Sequence, residues 1–324
     1  MSMFQQHRRR IIFGIKAVIS IALLWYLFEK IYLAPLSDRI AGLEIVPLMG
    51  AFSVLCIQIL LVSIRWRIVV NVLFQCVRFG KILKITMIGT FFNQALPTAI
   101  GGDVMRAWYL HLAGARGAHA IYSVLLDRLS ALAANTIFMA CLLSVIFQMI
   151  PDRAVRFGFV VVILGVGTGF LVLFNLGRVR VFLGRGRVAR IGEDLSSSAR
   201  SVLLNVKYGA RVVGLSVLSL VCSVLAFYLI GRGFDISVDL RSCFVLVPPV
   251  ILMSMLPVSV AGWGVRELAM VSAFGYIGVP DADALLMSLC FGLLILTISL
   301  PGGLLWLVTA RSAAPLDEKA LESD

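Results

Sequence analysis

Charge is what this sequence has least of. Only 14% of its 324 residues are Asp, Glu, Lys or Arg, 60% are hydrophobic, and the mean hydropathy is +0.99. A soluble domain of this length cannot hide so much apolar surface, because about half of an ordinary globular composition is polar. Signs of catalysis are also scarce. His7, His111 and His119 lie near basic loops without metal-ligand spacing, and no nucleophile stands beside a base, so covalent and metal-assisted chemistry have no sequence support. The six cysteines (Cys56, Cys76, Cys141, Cys222, Cys243, Cys290) fall singly in or near apolar segments with no Cys-x-x-Cys, which predicts packed, inert thiols. Residues 11–28 follow Arg8-Arg9-Arg10 but lack a small-residue cleavage site. With Trp25, Tyr26 and Phe28 as an interface belt, they read as a retained first helix rather than a signal peptide.

What is present is a series of apolar runs, several reaching the ~18 residues that mark a spanning helix. The fold class expected is an all-α polytopic membrane protein. Full spans are predicted at about 11–28, 45–64, 118–150, 157–176, 212–231 and 285–309. Two further segments, 85–100 and 243–261, are apolar but broken, and each has a helix-like continuation, at 104–113 and 264–278. The net charge of +12 does not point to nucleic acid, because the basic residues sit in short loops between spans, where the positive-inside rule and anionic headgroups account for them.

Charge also sets the topology. The polar, Ser-rich loop expected at 178–211 holds eight Lys/Arg against Glu193 and Asp194. Full crossings by both broken segments would put it opposite the basic amino terminus. Re-entrant dips keep both on the cytoplasmic side, with 20 of the 29 Lys/Arg there, 7 outside, and Lys16 and Arg128 within spans. The expectation is six full spans plus two re-entrant segments in a single domain, residues 1–311, followed by a short acidic cytoplasmic tail at 312–324. Each half, about 11–150 and 157–309, reads span, span, dip, span. Three crossings per half make the second half an inverted copy of the first, the arrangement that marks a midplane binding site in transporters.

The breaks carry the sequence marker of that repeat. Leu96-Pro97-Thr98-Ala99-Ile100-Gly101-Gly102-Asp103-Val104-Met105-Arg106 is echoed by Leu256-Pro257-Val258-Ser259-Val260-Ala261-Gly262-Trp263-Gly264-Val265-Arg266, with Glu267 next. Non-helical backbone survives at membrane depth only when buried in protein or lining a wet cavity. Pro97 ends one run and Gly101-Gly102 permits a tight reversal. The following helix then points free N–H groups at the break, with Asp103 expected as its N-cap. Asp127-Arg128 lies within a span, and adjacent helical residues do not face each other. Partners are therefore needed elsewhere, Arg106 or Arg266 for Asp127 and Asp103 or Glu267 for Arg128. Asn93-Gln94 suits hydrogen bonding across helices or to a ligand. Arg65-Trp66-Arg67 reads as an interfacial anchor.

Taken together, Asn93-Gln94-x-Leu96-Pro97, Gly101-Gly102-Asp103-x-x-Arg106, Asp127-Arg128 and Pro257-x-Ser259-x-x-Gly262-x-Gly264-x-Arg266-Glu267 resemble the lysylphosphatidylglycerol synthase transmembrane family over nearly the whole chain. Ala261 stands where that pattern often has Gly. The resemblance implies lipid translocation or headgroup handling, with these residues at the substrate site. Membrane lipids (an anionic phospholipid, a polyprenyl-linked or a hopanoid lipid) are the implied partners, and no cofactor is implied. The aminoacylating activity is not carried over, because these 324 residues include no soluble aminoacyl-transferase domain. The location expected is a bacterial-type cytoplasmic membrane, with both termini cytoplasmic. The leading expectation is a flippase-like transporter. A membrane-embedded lipid-modifying transferase and a non-catalytic partner of a lipid-modifying enzyme are the alternatives.

Overall fold

The computed structural model describes residues 42–74, 76–96, 100–183, 187–255 and 262–312. Among them the chain forms eleven α-helices and no strand. In order, α1 is Ile45–Leu73, α2 Phe79–Ala95, α3 Gly101–Leu112, α4 Gly117–Cys141, α5 Leu143–Met149 and α6 Arg153–Leu183. Then come α7 Arg187–Ala199, a π-helical turn at Arg200–Leu204, α8 Val206–Gly233, α9 Leu240–Ser254, α10 Val265–Gly275 and α11 Asp281–Ser312.

Among the described residues, five helices are long and apolar enough to cross a membrane: α1, α4, most of α6, α8 and α11. At 1.5 Å per residue each exceeds the ~30 Å of a hydrocarbon core. They correspond to five of the six expected spans; the first, at 11–28, lies outside the described residues. The protein is a multi-pass, all-helical membrane protein.

The two broken segments are helix pairs. In the first, α2 and α3 fold back against each other. A Cβ on Gly102 would lie 1.9 Å from the Gly89 carbonyl oxygen, so this approach requires glycine. Ile82 and Ile85 near the start of α2 pack with Leu110 at the end of α3 and Ala115 just after it, so the pair is an antiparallel hairpin whose outer ends lie together. In the second, α9 packs against α10.

The rest of the bundle holds these hairpins in place. The most extensive pairing joins α1 to α8, with Ala51 and Leu55 sharing a core with Val224, Phe227 and Ile230. α11 lies along α2, and Gly302 leaves its backbone against the Met87 carbonyl. α4 contacts α1, α3, α8 and α9. α4 and α11 each touch both hairpins, α4 through α3 and α9 and α11 through α2 and α10.

Two expectations are corrected here. The span 118–150 is not continuous, because it breaks at Leu142 into α4 and α5. The stretch 178–211 is not a loop. α7 within it is amphipathic, and Leu195, Ala199 and Val202 pack on Phe170, Leu173 and Phe174 of α6. Ser196 Oγ and Arg200 Nε donate to the Phe174 carbonyl at 3.0 and 2.7 Å, so the polar residues there support helical packing. Asn205 then caps α8, accepting from Lys207 N at 3.0 Å.

Candidate functional site

A chain of alternating charges crosses the interior of the first half. Asp127 of α4 is buried, with both carboxylate oxygens engaged. Arg65 Nε of α1 donates to Oδ1 and Arg106 Nη2 of α3 to Oδ2, each at 2.8 Å. Arg128 Nε donates to Asp103 Oδ2 at 2.7 Å, and Arg106 Nη1 lies 3.7 Å from Asp103 Oδ1. The order Arg65, Asp127, Arg106, Asp103, Arg128 thus ties α1, α3 and α4 together. Asp127 and Arg128, adjacent in mid-helix, diverge to different partners. Of the partners expected for them, the structure selects Arg106 and Asp103 and adds Arg65.

Two assignments change with this geometry. Arg65 and Trp66 do not form an interfacial anchor, because they are 5% and 0% exposed. The Arg106 guanidinium lies 4.2 Å over the Trp66 ring, and Trp66 Nε1 donates to Ser123 Oγ at 3.3 Å. A charged group surrounded by apolar residues has to be drawn inward to its counter-charge, and this overrides the preference of Arg and Trp for an interface. Asp103 is not the N-cap of α3, which begins after Ile100. Asp103 lies in the first turn and is occupied by Arg128. Asn93 Oδ1 of α2 instead accepts from Gly102 N at 2.9 Å, satisfying one of the free donors of that helix end. Gly101 is buried beside it. Gln94 is half-buried and belongs to neither cavity described next. Pro97 lies outside the described residues.

A cavity of about 370 Å³ opens on this chain of charges, and all five of its members line it. The opposite wall is neutral and polar. Gln58 of α1 donates to Ser223 Oγ at 2.7 Å and to Ser219 O at 3.0 Å of α8, while Ser216 Oγ accepts from Arg65 Nη1 at 3.1 Å. Three arginines against two aspartates leave the lining with one net positive charge. A second cavity, about 660 Å³ and mostly apolar, runs between α3 and α4 along Val104, Trp108, Ile121 and Leu125. The two share Asp103, Arg128 and Met255. The Asp103–Arg128 pair therefore stands where a polar chamber meets an apolar groove, and the Arg128 side chain is 34% exposed.

The second hairpin repeats the chemistry of the first around Arg266. Arg266 stacks 4.9 Å over Trp263 and donates through Nη2 to Glu267 Oε1 at 2.6 Å and through Nε to Ser288 Oγ of α11 at 3.1 Å. Glu267 Oε2 also accepts from Gly264 N at 2.6 Å, capping α10. Gly262 and Gly264 have φ of 82° and 87°, a left-handed backbone that only glycine adopts freely. In both hairpins the arginine stacks on a tryptophan and reaches a residue 21 or 22 positions on, Asp127 or Ser288. Gly262, Gly264, Arg266 and Glu267 do not line the 370 Å³ cavity. Pro257 and Ser259 lie outside the described residues.

The sequence reading missed Gln58, Arg65, Asn135 and the three serines as members of this chamber. Their signal was periodic rather than local. Gln58 and Arg65 are seven apart on one face of α1, and Ser216, Ser219 and Ser223 are spaced by three and four on α8, the spacing of one helical face.

With the geometry established, the chain can be compared with known proteins. A family model described as "Lysylphosphatidylglycerol synthase TM region" matches residues 13–302. No curated protein matches the chain.

Proposed function

Since the chain belongs to the lysylphosphatidylglycerol synthase transmembrane-region family, we propose that it receives an anionic membrane lipid in the chamber between α1, α3, α4 and α8 and carries its headgroup between leaflets. The observation that carries this reading is the junction at Asp103–Arg128, where a chamber of net positive charge meets an apolar groove. A lipid has the same two parts, a charged head and an apolar chain. The chamber, at about 370 Å³, has room for on the order of ten water-sized groups at ~30 Å³ each, enough for a phosphorylated headgroup but not a soluble protein segment.

The arginines have separate roles in this reading. Arg65 is held by Asp127 and Ser216 and sets the floor of the chamber. Arg106 keeps a buried Nε–H without a hydrogen-bond partner among the described residues, a donor left for a phosphate oxygen. Arg128, the most exposed of the three, exchanges Asp103 for the headgroup as the lipid enters from the groove. Arg266 and Glu267, which satisfy each other, brace the second hairpin and hold it closed in this state. The membrane is a bacterial-type cytoplasmic membrane, with the outer ends of the first hairpin on the cytoplasmic face.

The test is transfer of a labelled anionic phospholipid in proteoliposomes. Arg106→Ala is expected to abolish transfer and Arg266→Ala to slow it by loosening the second hairpin. Transfer at the wild-type rate in Arg106→Ala would remove the chamber from the mechanism. A headgroup-modified lipid formed by the purified protein would favour the transferase alternative instead.

A further inference from the structure

Asp103 lines both cavities, and half of its carboxylate is unused. Its Oδ2 accepts from Arg128 Nε at 2.7 Å. Its Oδ1 is buried and has no hydrogen-bond partner among the described residues, and the whole residue is 9% exposed. Arg106 does not fill the gap. Its Nη2 is bound to Asp127 at 2.8 Å, and its Nη1 lies 3.7 Å from Asp103 Oδ1, beyond hydrogen-bond reach. The other charges near Asp103 are few. α4 contributes Asp127 as well as Arg128, and α1 contributes Arg65, held by Asp127 and Ser216. His111 lies further along the groove, its Nδ1 2.8 Å from the Ala115 carbonyl oxygen. Among the described residues, α2, α8, α9 and α11 bring only neutral side chains to the two cavities. Asp103 thus depends on one close counter-charge, Arg128, and in the function proposed above this is the group that the incoming anion takes.

A buried carboxylate that loses its cation and gains an anion beside it is favoured in its neutral form. We infer that Asp103 is a proton-binding site that couples transfer to a proton gradient. One proton from the aqueous phase joins the carboxylate as the anion binds Arg128, and it crosses with the anion. It leaves when the anion is released and Arg128 returns. This rests on the function proposed above. Protonation turns a carboxylate oxygen from acceptor to donor, so Asp103 then offers the bound anion a hydrogen bond in place of repulsion. The charges balance over the cycle. The empty chamber lining carries one net positive charge. A singly charged anion brings this to zero, and the proton restores it. Loaded and empty sites then carry equal charge, and the cycle moves no net charge across the membrane. Without the proton, each turn would move one negative charge and would follow the membrane potential.

Proteoliposomes holding the full chain and tail-labelled phosphatidylglycerol, whose phosphodiester keeps a single negative charge near neutral pH, separate the two cycles. A pH step of about one unit is expected to shift the label about tenfold toward the leaflet on the alkaline side, relative to protein-free vesicles, whereas a potassium gradient of about tenfold with valinomycin is expected to leave it evenly spread. Asp103→Asn is expected to lose the response to pH and gain the response to potassium. Asp103→Ser repeats the test if that variant fails to fold. Wild-type transfer that ignores the pH step would overturn the coupling and leave the proposed function standing. A response to both gradients would overturn the balance of one proton per anion. A pH response that survives without the Asp103 carboxyl would assign the proton to another group, with His111 the nearest candidate along the groove. Loss of all transfer in a folded Asp103→Asn would make the carboxylate part of anion binding and overturn its role as proton carrier. Absence of transfer by the wild-type protein under every gradient would overturn the functional reading itself.

Discussion

Asp127 is the single carboxylate between two buried guanidinium groups, so its removal acts on both. Asp127→Asn keeps the shape but leaves Arg65 and Arg106 facing each other without the charge that offsets them. Breaking a buried pair by removing one partner costs about 3–5 kcal/mol. The expected result is a large fall in the thermal unfolding midpoint in detergent, whereas Arg128→Gln, at the more exposed end of the chain of charges, costs well under half of that. Equal losses would mean that the charges contribute one by one and not as a chain. Asp103, Arg106, Asp127 and Arg128 could be picked out from sequence because a charge inside an apolar run has to find a partner. Arg65 could not, since Arg-Trp-Arg at a helix end has the composition of an interface anchor. Asn135 and the α8 serines were hidden for a different reason: small polar residues on a helix can bond their own backbone, and only the fold shows which of them face a cavity.

The packing of α2 depends on glycines whose importance varies with what lies opposite. A Cβ at Gly302 of α11 would fall 2.0 Å from the Met87 carbonyl oxygen, whereas one at Gly165 of α6 meets nothing within 4 Å. Gly302→Ala is therefore expected to force α11 away from α2 and destabilise the protein by about 1–3 kcal/mol. Gly165→Ala is expected to be neutral or to stabilise by up to about 1 kcal/mol. Unfolding of the two variants side by side checks this. α9 offers a test of capping. Asp239 precedes it and accepts from Ser242 N at 3.2 Å and from the Ser242 hydroxyl, and that hydroxyl bond holds its carboxyl below the usual 3.8. A depressed carboxyl stabilises the fold above its ordinary value and loses that effect as pH falls through the folded one. Asp239→Ala should cost about 1 kcal/mol at neutral pH, and the gap between variant and wild type should close on acidification below about pH 4. At this scale the sequence was readable where periodicity and breakers agreed, as in α3 after Gly101-Gly102. It was not readable in α7, where a polar, serine-rich composition hid an apolar face supported by α6.

At the scale of the whole chain, orientation follows from counting Lys and Arg, and the geometry of the first hairpin makes it testable. Because α2 and α3 fold back on each other, Gly80 and Arg116 lie at the same end of the pair. A membrane-impermeant thiol reagent should therefore reach Gly80→Cys and Arg116→Cys from one face only, even though 35 residues and two helices separate them. That face should also expose Ser197→Cys, on α7 where it folds back against the second half of α6, and it should be the cytoplasmic one by the excess of basic residues in the sequence. Asp152→Cys, at the near end of α6, should react only from the opposite face. The single-cysteine variants need a background in which the exposed Cys76 and Cys141 are replaced by serine. Labelling of Gly80→Cys and Arg116→Cys from opposite faces would turn the hairpin into a full crossing. Every later span would then reverse, and the second half would not be the inverted copy of the first that the sequence predicts. In that case the matched arginines, each stacked on its tryptophan, would face the same side of the membrane. Headgroup transfer by alternate exposure of the two hairpins would lose its structural basis, whatever the chamber binds.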